Sequence, residues 1–85
     1  MKREDVYAIV DGERDYQDSK WVNEPIHTPT EWLVYLQRYL TKAIITATDV
    51  PSESCNALIM EDIRKITAMG VASMEEHGCT PRLIS

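Results

Sequence analysis

Thr28-Pro29-Thr30-Glu31-Trp32-Leu33-Val34-Tyr35-Leu36 carries the clearest local signal in the chain. Thr28 suits an N-cap and Pro29 the first helical position, where a missing N–H costs nothing. Glu31 stands three residues after the cap and can reach back to the Thr28 N–H, which makes a capping box. Trp32, Leu36, Tyr39 or Leu40, Ala43 and Ala47 then recur at intervals of three and four. Leu33, Leu40 and Ile44 widen that apolar face, and Arg38 and Lys42 sit on its flank. The pattern predicts an amphipathic helix over 29–47.

Working outward, Asp49-Val50-Pro51-Ser52-Glu53 is a loop that ends in a second cap, at Ser52 or Asp49. A helix over 53–77 follows, with Cys55, Leu58, Ile59, Ile63, Ile66 and Met74 as its core positions and Met60 and Met69 beside them. Gly78 is placed to terminate it, and Pro81 prevents continuation into the 78–85 tail. Small residues in Ala68-Met69-Gly70-Val71-Ala72-Ser73 suit close helix packing. Towards the N-terminus, Asn23 and Pro25 mark 22–27 as a linker. Val6, Ile9, Val10, Tyr16 and Trp21 predict a first helix over 2–21, kinked or broken near Gly12, because Asp11-Gly12 is a turn signal. No segment alternates as a strand does, so the expected fold is all-α: one domain, 1–85, of three helices.

The 85 residues suffice for a single domain. A chain of that size buries only about 60% of its unfolded surface. Small domains are usually rescued by disulfides, a metal or association. Cys55 and Cys79 form no C-x-x-C pair, and His27 and His77 are the only histidines to accompany them, so neither a disulfide scaffold nor a zinc site is expected. Association of copies remains, giving a helical-bundle homo-oligomer. No apolar stretch is longer than the five residues of Trp32 to Leu36, far short of a membrane helix. The charged start, Met1-Lys2-Arg3-Glu4-Asp5, leads into no apolar segment, so a cytoplasmic protein is expected. A net charge of −5 disfavours broad nucleic-acid binding but allows a small basic site.

Three segments together carry a resemblance: Glu13-Arg14-Asp15-Tyr16-Gln17-Asp18-Ser19-Lys20-Trp21, His27 to Leu33, and Ile63-Arg64-Lys65-Ile66 leading to Met74-Glu75-Glu76-His77-Gly78-Cys79-Thr80-Pro81-Arg82. The set resembles small proteins common in bacteriophage genomes, whose helical layout is similar to one half of the MazG-like nucleotide pyrophosphohydrolases. Those enzymes hold Mg²⁺ with a Glu-Glu-x-x-Glu helix and a later Glu-x-x-Asp helix. Here Glu31 is followed at three and four by Val34 and Tyr35, and Glu61 at three by Arg64. Glu61-Asp62 and Glu75-Glu76 are adjacent pairs, which splay around a helix instead of converging on a hard cation. Metal-dependent turnover is therefore not expected, and no cofactor or catalytic residue is assigned.

What remains is suited to binding. Tyr16, Trp21, Trp32, Tyr35 and Tyr39 offer flat faces, and Arg14, Lys20, Arg38, Lys42, Arg64, Lys65 and Arg82 offer positive charge. Stacking with a phosphate clamp is the minimal chemistry for holding a nucleotide. The chain is similar in size, acidity and layout to phage proteins that sequester nucleotide-derived signals of host immunity. That likeness implies a sequestering protein in the cytoplasm of an infected host cell, with ligand pockets between subunits. The candidate ligand-binding residues are Arg14, Tyr16, Lys20, Trp21, Trp32, Arg64, Lys65 and Arg82. The alternatives are a MazG-like pyrophosphohydrolase or its remnant, a protein–protein inhibitor, and a structural phage protein.

Overall fold

A computed structural model describes residues 1–49 and 55–83. Three helices make up its regular structure: α1 (Arg3–Lys20), α2 (Pro29–Asp49) and α3 (Cys55–His77). The described residues include no strand. The expected start of the third helix at 53 and its Ser52 cap lie outside the described residues, while Asp49, the other expected cap, is instead the last residue of α2, which runs past its expected end at 47.

The capping box that opens α2 forms in full. The Thr28 N–H donates to Glu31 Oε1 at 2.9 Å, and the Glu31 N–H donates to Thr28 Oγ1 at 3.1 Å. Hydrogen bonding to its carboxyl from Thr28, first from the backbone N–H and then from the hydroxyl, holds Glu31 below its ordinary value. At the other end of the fold, Gly78 closes α3 at φ 73° while its N–H donates to the Met74 carbonyl at 2.7 Å. A left-handed residue after the last turn is the standard helix stop, and glycine adopts it without a Cβ clash.

Of the kink or break expected near Gly12, the break is absent: α1 is one continuous helix, Arg3–Lys20. A Cβ built at Gly12 meets nothing within 4 Å. Gly12→Ala should therefore stabilise the protein by about 0.5–1 kcal/mol, by removing unfolded-state freedom and improving helix propensity. An upward shift of the urea midpoint at unchanged slope checks this.

α3 is the spine. α1 and α2 each pack on it and not on one another. α2 runs antiparallel to α3, with Trp32 near its start seated on Met69 and Ala72. The buried apolar core is small: Trp32, Ala68, Met69 and Ala72. Trp21, Tyr35 and Leu36 pack around it, half-buried. Several positions expected in the core are exposed instead: Val6, Ile9 and Tyr16 on α1, Leu40 on α2, and Leu58, Ile63 and Met74 on α3.

The face that α1 turns to α3 is polar. Its buried residues are Glu13, Arg14 and Gln17. They are tolerated because each is bonded across to α3 or along α1. Glu13 Oε1 accepts from Arg64 Nε at 2.7 Å, and Gln17 Nε2 donates to the Lys65 carbonyl at 3.1 Å. Arg14 forks onto Glu75 with Nε and Nη2, at 2.9 and 3.1 Å. Arg14 also donates to Gln17 Oε1 at 3.1 Å and to Asp18 Oδ1 at 2.7 Å. No buried side-chain nitrogen or oxygen among the described residues lacks a partner. No helix of the described residues is long and apolar enough to cross a membrane.

Candidate functional site

Since α1 and α2 meet α3 but not each other, a groove runs between them with α3 as its floor. It has two compartments that share Trp21, Tyr39 and Met69.

The larger compartment, about 340 Å³, is walled by Trp21, His27, Trp32, Tyr35 and Tyr39. The rings brace one another. His27 meets Trp32 edge-on at 5.4 Å and Tyr35 at 4.8 Å, and Trp21 meets Trp32 at 6.4 Å. Edge-to-face and tilted arrangements of this kind suit the ring quadrupoles. Trp32 is fixed further by its indole N–H, which donates to Glu76 Oε2 at 2.8 Å. The linker that carries His27 is tied down by His77, whose Nε2 lies 2.6 Å from the His27 carbonyl oxygen. A carbonyl can only accept, so His77 holds its proton on Nε2. Asp18, Glu24 and Glu76 give this compartment an acidic rim.

The smaller compartment, about 250 Å³, is lined by Tyr16, Lys20 and Lys65 with Glu13 and Gln17. Lys20 Nζ lies over the Tyr16 ring, 5.7 Å from its centre. Glu13 is held by Arg64, and among the described residues the two lysines make no ion pair.

Of the candidate residues, the groove brings together Arg14, Tyr16, Lys20, Trp21, Trp32 and Lys65. Arg14 lines the wall, but four of its guanidinium N–H groups are taken by Glu75, Asp18 and Gln17. The Glu75 bonds chiefly raise the Arg14 pKa, and Arg14 in turn holds the Glu75 carboxyl below its ordinary value. Arg64 is paired with Glu13 and lines neither compartment, and Arg82, exposed in the tail, lines neither as well. His27, Glu24 and Glu76 also line the groove and carried no ligand signal in the sequence. Tyr35 and Tyr39 join the wall as their spacing with Trp32 allowed.

The acidic residues that a metal would need are dispersed. Glu75 faces Arg14 and Glu76 faces Trp32, so this adjacent pair diverges around α3. Among the described residues no three His, Cys, Asp or Glu side chains are grouped to hold an ion. Cys79 is a free, exposed thiol, and the side chain of Cys55 lies outside the described residues. Comparisons with protein-family models, with curated proteins and with solved structures found no match to this chain.

Proposed function

We propose that this protein binds and sequesters a phosphorylated, nucleotide-derived small molecule without turning it over, and that it works as an association of copies. The observation that carries the ligand reading is the split character of the groove. One compartment presents aromatic faces within an acidic rim, and the next presents Lys20 and Lys65. A nucleobase has a π-face for stacking and exocyclic amines that donate to carboxylates. Its phosphates need cations and are repelled by carboxylates. The charge pattern therefore orients the ligand, with the base towards His27, Tyr35 and Trp21 and the phosphates towards Lys20 and Lys65. Arg14 and Arg64 shape the walls through their ion pairs and leave the phosphates to the lysines.

Calorimetry against cyclic oligonucleotides and cyclic ADP-ribose isomers tests this reading. At least one member of the panel should release binding heat and be recovered chemically unchanged. Lys20→Ala and Lys65→Ala should each weaken that binding about 10–100-fold, the size of one charge-assisted hydrogen bond. Both lysines are exposed, so the thermal midpoint should stay in place. No heat from any panel member at high concentration would remove the ligand reading.

A further inference from the structure

The back of the α2–α3 hairpin presents a wide face that nothing among the described residues covers. Leu33, Leu40 and Ile44 of α2 are 67%, 45% and 53% exposed, and Ile63 and Met74 of α3 are 46% and 49% exposed. A helix turns about 100° per residue. That places the α2 residues about 100–140° around from Tyr39 in the groove wall, and Ile63, Gly70 and Met74 equally far around from Met69 on its floor. Because α2 and α3 are antiparallel neighbours, the two stripes emerge on the same side, opposite the groove.

No charged residue interrupts them. The positions between and beside them are neutral: Gln37, Thr41 and Thr48 on α2, and Asn56, Ile59 and Thr67 on α3. The charges of α2, at Glu31, Arg38, Lys42 and Asp49, all fall on its opposite side by the same rotation.

The chain as a whole also exposes more surface than a folded monomer of its size, and this face is part of that excess. A folded monomer of 9.7 kDa should expose about 5,100 Å² by the size scaling of globular proteins. This chain exposes 6977 Å². Its radius of gyration, 14.6 Å, likewise exceeds the roughly 12 Å expected for its length. The excess of about 1,900 Å² matches what one partner buries in an obligate homodimer, about 1,000–2,500 Å².

We propose that a second copy of this chain docks on this face, hairpin against hairpin, to form a four-helix core. Two chains of net charge −5 repel each other over most of their surfaces. A neutral stripe is where they meet without like-charge contacts, and a two-fold pairing sets it against itself. Gly70 lies mid-stripe, and a Cβ there meets nothing within 4 Å of its own chain. It therefore leaves room for the other copy to approach closely. This proposal names the face behind the association in the proposed function, and it rests on that part of the reading alone.

Sedimentation equilibrium of the full chain tests it, with Leu40→Glu and Met74→Glu as face variants and Ile45→Glu as the control. Ile45 is 55% exposed on the far side of α2. The wild type and Ile45→Glu should sediment at no less than twice 9.7 kDa. Both face variants should sediment as single chains, with the helical circular dichroism of a folded protein at low temperature. Two independent face positions keep the test decisive if one variant fails to fold. A wild type at single-chain mass at 100 μM, or a multimer that survives either folded face variant, overturns the proposal. Ligand heat is measured separately, so loss of association and loss of binding are distinguishable.

Discussion

Trp32→Ala should unfold much of the population at 37 °C. Trp32 is 4% exposed and is by far the largest member of the buried core. Removing a buried aromatic ring costs about 3–5 kcal/mol. A domain of this length is stabilised by about 4–13 kcal/mol in total, and the small core suggests the lower end. The ring also joins α2 to α3 through Met69 and Ala72 and carries the bond to Glu76. Trp32→Phe separates the two contributions. It keeps most of the packing and loses the N–H donor, at about 1–2 kcal/mol. Urea unfolding followed by circular dichroism measures both. A Trp32→Ala protein within 1 kcal/mol of wild type would show that the ring does not anchor α2.

The second large effect is expected at Arg14. Arg14→Ala removes the fork onto Glu75 and the bonds to Asp18 and Gln17 in one step. Breaking a fully buried pair costs about 3–5 kcal/mol. Here the carboxylates are half open to water, at 53% and 66% side-chain exposure, so solvent screens the loss. About 2 kcal/mol is expected after that discount. Arg14→Lys should recover little of it, since a single ammonium cannot fork onto a carboxylate.

The same contact gives an acid dependence. Glu75 is held below its ordinary value of 4.5 by the Arg14 hydrogen bonds. A depressed carboxyl stabilises the fold above its unfolded value and loses that contribution as pH falls through the folded value. Thermal midpoints should therefore drop below about pH 4.5, and the drop should be shallower in Glu75→Gln. Arg14 is shifted upward and acts only in the strongly alkaline limb, so the acid side is the informative one. An identical acid profile in wild type and Glu75→Gln would remove this ion pair from the stability of the fold.

The start of α2 was legible because its signal is local: Thr28, Pro29 and Glu31 satisfy one another within four residues. The side of α1 that packs inward was not. Val6, Ile9 and Tyr16 look like an inward stripe, yet Glu13, Arg14 and Gln17 take the inner positions. Their partners, Arg64, Lys65 and Glu75, lie about fifty residues or more away, and no local pattern pairs them. Arg14 and Arg64 looked like free cations for the same reason. The groove was half legible: Tyr35 and Tyr39 follow Trp32 at helical spacing, whereas His27 enters only because His77 fixes the linker.

Three successive residues at the end of α3 each hold a different part of the chain. Glu75 takes Arg14 of α1, Glu76 takes Trp32 of α2, and His77 takes the linker at His27. α1 and α2 share no helix-to-helix contact, and apart from the aromatic cluster of Trp21, His27, Trp32 and Tyr35 it is α3 that joins them. Fraying of that last turn would therefore loosen α1, α2 and the linker together, since Glu75, Glu76 and His77 are neighbours on one turn.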